Sequence, residues 1–295
     1  LHKAIRRQRQ MCIRDRSIWI KKLPALCAIY INFYEKSRSC SSKIFRLMIP
    51  KVIHYCWLSG DPIPEKLQRC MDSWKKFLPD YEFVLWDLER FDIKTSQWVK
   101  EAFEARKYAF AADYIRLYAV YNYGGIYMDM DVEVVRPFDD LLASPYILGL
   151  ESEKGVEAGV FGAERYSLFL KKILSYYERR SFLKEDGTFD MRPLPSVLFE
   201  ILTDNYVLRE RNSVGIPLDS SMMYLFPSDY LTAKSYLNGK IEVTKHTYTI
   251  HHFAGSWLTR GRRVRVAFLR LLGESNANLL VRIKMSIFKK LRIIR

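Results

Sequence analysis

The chain has 295 residues, 49% of them apolar and 27% charged, with a formal net charge of +15; such a chain can bury a large core, and a fibrous or natively disordered class is excluded. Residues 1–47 carry twelve Lys/Arg against two Asp/Glu, residues 259–295 carry eleven against one, and residues 48–258 carry twenty-five against thirty. A mildly acidic body excludes a basic nucleic-acid cleft across the fold and points the two basic ends toward an anionic surface such as a membrane leaflet.

The chain begins at Leu1, and Arg6–Arg16, reading RRQRQMCIRDR, resembles a translated sequencing-adapter fragment. Met48-Ile49-Pro50-Lys51 offers a natural start, so residues 1–47 are expected to be artefact plus extension. The competing reading is a basic, weakly amphipathic anchor around Ser17–Leu47. The five cysteines (Cys12, Cys27, Cys40, Cys56 and Cys70) are odd in number and show no C-x-x-C spacing. That usage fits a reduced, cytoplasmic protein. No stretch reaches the roughly 18 apolar residues of a membrane span. The best candidate, Leu23–Tyr34, is too short and lacks a signal-peptide cleavage site.

Lys51–Trp57 reads as a first, fully buried strand. Glu65–Phe77 places Leu67, Met71, Trp74 and Phe77 at helical spacing, Pro79-Asp80 breaks it, and Tyr81–Trp86 is a second strand. Together these predict a β-α-β unit with parallel strands. Ser96–Tyr123 reads as two helices with a break near Ala105–Tyr108. Gly124-Gly125 stops the second helix, since glycine accepts the left-handed conformation cheaply. Ile126–Asp129 is then a central strand, and Val132–Val135 continues extended to Pro137. Further strands are expected at Tyr146–Leu150, Gly159–Gly162 and Glu242–His252, and helices at Leu168–Glu178 and Pro195–Leu202. Alternating strands and helices indicate an α/β protein, in which ligands bind at the carboxyl ends of the strands.

The most informative stretch is Gly124-Gly125-Ile126-Tyr127-Met128-Asp129-Met130-Asp131. Magnesium or manganese uses one or two carboxylates plus substrate phosphates. In an extended segment residues i and i+2 face the same side, so Asp129 and Asp131 are expected to meet one ion together. A D-x-D pair alone is also an ordinary solvated turn. Here it follows a buried strand, where idle charges are costly. Asp113 and Arg116 lie three apart on an otherwise apolar helix, either as a plain salt bridge or as part of a site. The phosphohydrolase form of D-x-D is not met, because Glu133 stands at its fifth position. Toward the far end, His251-His252-Phe253-Ala254-Gly255-Ser256-Trp257 follows a strand. A histidine there can supply a nitrogen ligand to manganese.

With these residues in hand, the chain resembles a bacterial glycosyltransferase of the DXD sugar-binding class, family 32, which includes capsular polysaccharide enzymes and the initiating α-1,6-mannosyltransferase of yeast. IPKVIHYCW at 49–57, AADYIRLYAVYNYGGIYMDMDV at 111–132 and IHHFAGSW at 250–257 carry the likeness, which covers residues 48–258. The resemblance implies a GT-A type, Rossmann-like nucleotide-sugar-binding fold with a mixed, mainly parallel central sheet. It implies a retaining hexosyltransferase that uses a UDP- or GDP-sugar donor, a divalent Mn2+ or Mg2+ cation, and a glycan or lipid-linked glycan acceptor of a surface polysaccharide. By motif position, Trp57 resembles the residue stacking on the donor base. Asp113 and Arg116 match the pair contacting donor sugar and phosphates, and Tyr127 an aromatic beside the nucleotide. Asp129 matches the ribose and water-mediated metal contact, Asp131 the direct metal ligand, and His251 the C-terminal metal ligand, with His252 as the alternative. Ser256 and Trp257 match residues that close over the diphosphate. Glu157 lies in a segment where relatives approach donor and acceptor.

Residues 259–295 interleave Lys/Arg with apolar residues around a Gly273–Asn278 interruption. They read as two amphipathic basic helices, either lying on the inner face of the cytoplasmic membrane or packed on the domain with their charges in water. Two other functions compete with transfer: a nucleotide-sugar phosphohydrolase using the same metal site, and a non-catalytic binder of anionic surfaces.

Overall fold

A computed structural model describes residues 49–152, 155–211, 221–236, 238–255 and Gly261, all within the unit Leu47–Arg295. The basic segments expected at 1–47 and, Gly261 apart, at 259–295 therefore lie outside the described residues, as do Cys12, Cys27 and Cys40. Cys56 and Cys70 are free thiols.

The chain enters with β1 (Val52–Cys56), α1 (Glu65–Phe77) and β2 (Glu82–Trp86). β1 and β2 pair in parallel from Val52↔Glu82 to Cys56↔Trp86. This is the expected β-α-β unit, although β1 is only half-buried, with Ile53 and His54 inward. Glu65 in the first turn of α1 and Lys75 and Lys76 in the last complement the helix dipole. The Trp74 indole of α1 donates to Val132 O at 2.7 Å, and Ser73 Oγ accepts from Val134 N at 2.8 Å. The helix is thereby fastened to β4 (Val132–Val134).

α2 (Gln97–Glu104) starts on Ser96, whose hydroxyl accepts from Val99 N at 3.3 Å. α3 (Tyr108–Tyr123) follows a break, with Arg106 in the left-handed region at φ 55°. α3 is apolar on most of its circumference and correspondingly buried. β3 (Gly125–Met128) comes next, every residue buried. A 3-10 turn at Ile93–Thr95 precedes α2, and the remaining described elements are β5 (Tyr146–Ile147), β6 (Leu150–Ser152), β7 (Gly155–Val156), β8 (Val160–Ala163), α4 (Leu168–Glu178), α5 (Leu194–Asn205), β9 (Val207–Glu210), β10 (Met222–Leu225), α6 (Ser228–Leu231) and β11 (Thr249–His251).

The main sheet runs β2-β1-β3-β8-β5. β1 pairs in parallel with β2 and β3, while β8 is antiparallel to both β3 and β5. Four of the five strands thus point one way and β8 opposes them, a mixed α/β sheet. Both faces are covered. Tyr127, Trp86 and Phe161 face a core shared with α3, α4 and α5. Ile126, Met128 and Val160 face a second core with Trp74, Val132 and Phe138. This alternation is the two-residue period of a strand buried on both sides.

The expected final strand at Glu242–His252 shortens to β11. Upstream of it, Thr247 Oγ1 accepts from Thr244 N at 2.9 Å, and Thr247 N returns to Thr244 O at 3.2 Å. This hydroxyl-closed turn competes with the ladder. β6, β7, β9, β10 and α6 are short and answer to no clear local period. Among the described residues, no helix is long and apolar enough to cross a membrane.

The root of β3 is tightly packed. Gly124 and Gly125 adopt φ of 70° and 105°. His54, 1% exposed, donates from Nε2 to Gly124 O at 2.8 Å and accepts at Nδ1 from the Trp86 indole at 3.1 Å. A Cβ on Gly125 would stand 2.6 Å from Val52 O. Gly125→Ala is therefore expected to destabilise the fold by about 2 kcal/mol or more, combining backbone strain with a backbone clash. Urea titration followed by tryptophan fluorescence reads this directly, and an unchanged midpoint would contradict it.

Candidate metal and donor site

β3 ends at Met128, and the acidic pair sits on the turn that follows. Val132 N donates to Asp129 O at 3.0 Å, closing residues 129–132, and Met130 is buried beneath. The expectation that Asp129 and Asp131 converge from an extended segment is corrected here. They converge because a tight turn buries the residue between them. Asp129 N also donates to Gly159 O at 2.7 Å, fixing the turn to the end of β8's approach.

α3 brings Asp113 and Arg116 to the same place. The guanidinium lies 3.3 Å from Asp113 Oδ1 and 3.2 Å from Asp129 Oδ2, donates to Ala158 O at 2.8 Å, and donates from Nε to Ala112 O at 3.3 Å. Its plane covers the Tyr127 ring with 4.6 Å to the centroid. Tyr127 in turn donates its hydroxyl to Asp129 Oδ1 at 2.8 Å. Both oxygens of Asp129 are thus engaged by protein groups. Burial pushes the Asp113 carboxyl up to about 7 despite Arg116. Burial also raises Asp129, with Arg116 opposing. Arg116 stays charged, because Asp129 and its neighbours outweigh the cost of its burial.

β11 delivers the histidine. It pairs antiparallel with β4, placing His251 opposite Val132. His251 Nε2 then stands 3.5 Å from Asp131 Oδ1, and Nδ1 donates to Glu157 Oε1 at 3.0 Å. Ala254 N donates to Asp131 Oδ2 at 2.6 Å. His252 turns the other way, with Nε2 2.8 Å from Glu133 Oε2. Of the two histidines, His251 is the one beside the acidic turn. Burial disfavours the Asp131 anion, but His251 and the Ala254 amide outweigh it and bring its pKa down to about 2. Burial likewise disfavours the His251 cation, yet Glu157 and Asp131 raise it well above the usual imidazole range.

Asp129, Asp131 and His251 each offer a ligand atom, and these lie within 4.8 Å of one another. Two carboxylate oxygens and one imidazole nitrogen, with the other ring nitrogen held by Glu157, form a donor set that fits a divalent cation.

The acidic turn opens on a cavity of about 1190 Å³ lined by Arg116, Asp131, His251, Trp57, Glu151 and Lys234 among others. Trp57 is half-buried just beyond β1, its indole donating to Asp61 O at 2.8 Å. Ser256 and Trp257 lie outside the described residues, although Gly255 just before them lines the cavity. Sequence reasoning missed what Glu157 does at the histidine. It also missed Glu151, whose carboxyl is pushed up to about 7 by burial and by Glu157, and Lys234, which donates to His252 O at 3.0 Å. For Glu157 the only local signal was an acid set among small and apolar residues, Gly155-Val156-Glu157-Ala158-Gly159.

Residues 64–148 match the family model described as glycosyltransferase sugar-binding region containing DXD motif. The chain is 37% identical over 147 residues to mannosyl phosphorylinositol ceramide synthase SUR1 of Saccharomyces cerevisiae, covering 46% of this chain and 37% of that protein. It is 33% identical over 138 residues to inositol phosphoceramide mannosyltransferase 3 of Schizosaccharomyces pombe, covering 45% of this chain and 38% of that protein. The chain thus spans less than half the length of these curated relatives. Among solved structures, the PaToxG glycosyltransferase aligns with a TM-score of 0.42 at 22% identity over 53% of this chain and 69% of that chain. The galactosyltransferase LgtC, solved in complex with donor and acceptor sugar analogs, aligns with a TM-score of 0.39 at 13% identity over 74% of this chain and 95% of that chain. Over residues 64–148, less than a third of its length, the chain is similar to the DXD-type sugar-binding region of glycosyltransferases.

Cation binding at His251 has a definite pH sign. Near neutral pH the cation-free imidazole holds both protons, because its pKa is raised. An entering ion must displace the Nε2 proton, so Mn2+ affinity rises with pH, by up to about tenfold per unit while His251 is otherwise protonated. Calorimetric Mn2+ titrations in buffers of different ionisation heat should report about one proton released near neutral pH. Binding with no proton release would contradict it.

Proposed function

We propose that the chain is a metal-dependent glycosyltransferase of GT-A type that moves a hexose from a UDP- or GDP-sugar to a glycan or lipid-linked glycan acceptor, retaining the donor's anomeric configuration. The observation that carries this reading is the convergence of Asp129, Asp131 and His251 beside Arg116 at one cavity. The DXD family match over residues 64–148 supports it. The relatives named for mannosyl transfer to inositol phosphoceramide support mannose as the first donor sugar to test and a lipid-linked, hydroxyl-rich acceptor. Assembly of a surface polysaccharide such as capsule, lipopolysaccharide or exopolysaccharide is the setting we propose.

When bound, a divalent cation, Mn2+ or Mg2+, supplies charge neutralisation for a departing diphosphate. Asp129, Asp131 and His251 would hold it. Arg116 is a fixed positive charge, already oriented by Asp113, Ala112 and Ala158, so it needs no reorganisation when negative charge develops nearby. Trp57 offers an aromatic face for a base, and Ser256 and Trp257 are proposed to close over the diphosphate. In the retaining reaction the bond from the anomeric carbon to the diphosphate oxygen breaks and the acceptor oxygen bonds on the same face. The acceptor's proton passes to the leaving diphosphate. No protein nucleophile is assigned.

A panel of UDP- and GDP-hexoses with Mn2+, read by nucleotide release, tests the reading. One donor should stand out, and Asp131→Ala should lower its turnover about 100-fold or more. Turnover indifferent to Asp131→Ala would sink it, and release by water alone at the rate of transfer would favour the hydrolase instead. We also propose that residues 259–295 hold the protein on the cytoplasmic face of an anionic membrane. Deleting them should weaken sedimentation with phosphatidylserine-containing vesicles, and unchanged sedimentation would end that proposal.

A further inference from the structure

Glu157 follows β7, and its side chain is 1% exposed. A carboxylate so buried is costly unless its oxygens are bonded. Both are. Oε1 accepts from Gly159 N at 2.6 Å and from His251 Nδ1 at 3.0 Å, and Oε2 accepts from the Thr232 hydroxyl at 2.7 Å. Burial works against the Glu157 anion, but His251, Thr232 and Gly159 together keep it ionised. The backbone repeats the arrangement: His251 N donates to Thr232 O at 2.9 Å, and Glu157 N donates to Gly149 O at 2.8 Å. Three segments distant in sequence therefore meet at one carboxylate.

The imidazole is held on its remaining sides as well. A Cβ on Gly159 would stand 2.6 Å from His251 Cε1 and 2.9 Å from Nδ1, so the ring occupies the space of the missing side chain. Phe253 stacks on the ring with centroids 4.2 Å apart. With Nδ1 committed to Glu157, Nε2 is the nitrogen left facing Asp131.

We infer that Glu157 is a positioning residue. It fixes the His251 tautomer and ring orientation so that Nε2 is presented to the cation, with Thr232 and Gly159 holding Glu157 in turn. The inference rests on the metal reading above. It takes Glu157 out of donor and acceptor contact, because its side chain is almost wholly buried and both of its oxygens are used within the protein, whereas the Asp129 side chain keeps some exposure. A carboxylate behind a metal-binding histidine contributes 10–100-fold to affinity where it has been tested in metalloproteins.

The test is Mn2+ affinity without donor, read from the electron paramagnetic resonance of free Mn2+, for wild type, Glu157→Gln, Glu157→Ala and Gly159→Ala. A glutamine can keep its oxygen toward Gly159 N and His251 Nδ1 and turn its amide to the Thr232 hydroxyl, which can accept. Glu157→Gln should therefore retain most of the affinity, whereas Glu157→Ala should lose about 10–100-fold. Gly159→Ala should also lose affinity, because its methyl would crowd the ring at 2.6 Å and Glu157 Oε1 at 3.0 Å, forcing the pair apart while leaving the carboxylate chemically present. It serves as the second arm if Glu157→Ala does not fold. Wild-type affinity in Glu157→Ala or in Gly159→Ala overturns the inference, and so does Glu157→Gln binding as poorly as Glu157→Ala. If wild type binds Mn2+ no better than Asp131→Ala, the metal reading itself fails, a result distinct from any of these.

Discussion

The site depends on a short antiparallel pairing. Three residues of β11 lie along β4 in the register His251↔Val132. Without that pairing the acidic turn has no imidazole, and the residues it joins are far apart, His251 and Val132 being separated by 119 positions (251 − 132). Closing a loop of that length costs only slowly more than closing a short one, but something must hold the closure. The Thr249 hydroxyl donates to Leu231 O at 2.5 Å, and Tyr248 N donates to Tyr230 O at 2.8 Å. On the other side Trp74 holds Val132 O, so β4 is pinned by α1 as well as by β11. The three-residue ladder is thus the visible part of a junction made by helix, turn and strand.

Charge is distributed around that junction in two groups. Arg116 stands between Asp113 and Asp129, and His251 stands between Asp131 and Glu157. Four carboxylates face two cationic groups, which leaves the cavity wall net negative. Such a wall repels a diphosphate until a cation offsets it. The same crowding explains why neighbouring carboxyls differ so much. Asp113 has the guanidinium it shares with Asp129 to set against a larger cost of burial, and its pKa rises. Asp131 has an imidazolium and a short amide bond, and its pKa falls.

The helices of this fold could be read almost directly. Glu65–Phe77 and Leu168–Glu178 carry their apolar stripes and stop signals within themselves, and the structure ends them at the same residues. The break between α2 and α3 and the Gly124-Gly125 stop were equally local. The strands were less legible, because a two- or three-residue ladder leaves no period. β6, β7 and β9 owe their existence to what lies beside them. In the site, the D-x-D pair and Asp113 with Arg116 stood out because charge in an apolar context is conspicuous. The turn that aims the pair did not, since it depends on Met130 finding a buried place. Glu157 could be seen only as an acid in a small-residue run. Its bond to His251 crosses 94 positions, and no spacing in the chain announces such a contact.

His54 lies under the root of β3 with one ring nitrogen donating and the other accepting. That arrangement requires a neutral ring, because a second proton would meet the Trp86 N–H. Burial lowers its pKa below the ordinary 6.5, more than Gly124 O can restore. Above that value the ring is neutral in folded and unfolded chains alike, and its bonds contribute fully. As pH falls below it, the unfolded chain takes up a proton that the folded chain resists, and stability is lost. The sheet thus has its own acid limb, set by a ring remote from any reacting group. A decline of activity on the acid side therefore registers the central strand's footing together with the ionisation of the cavity.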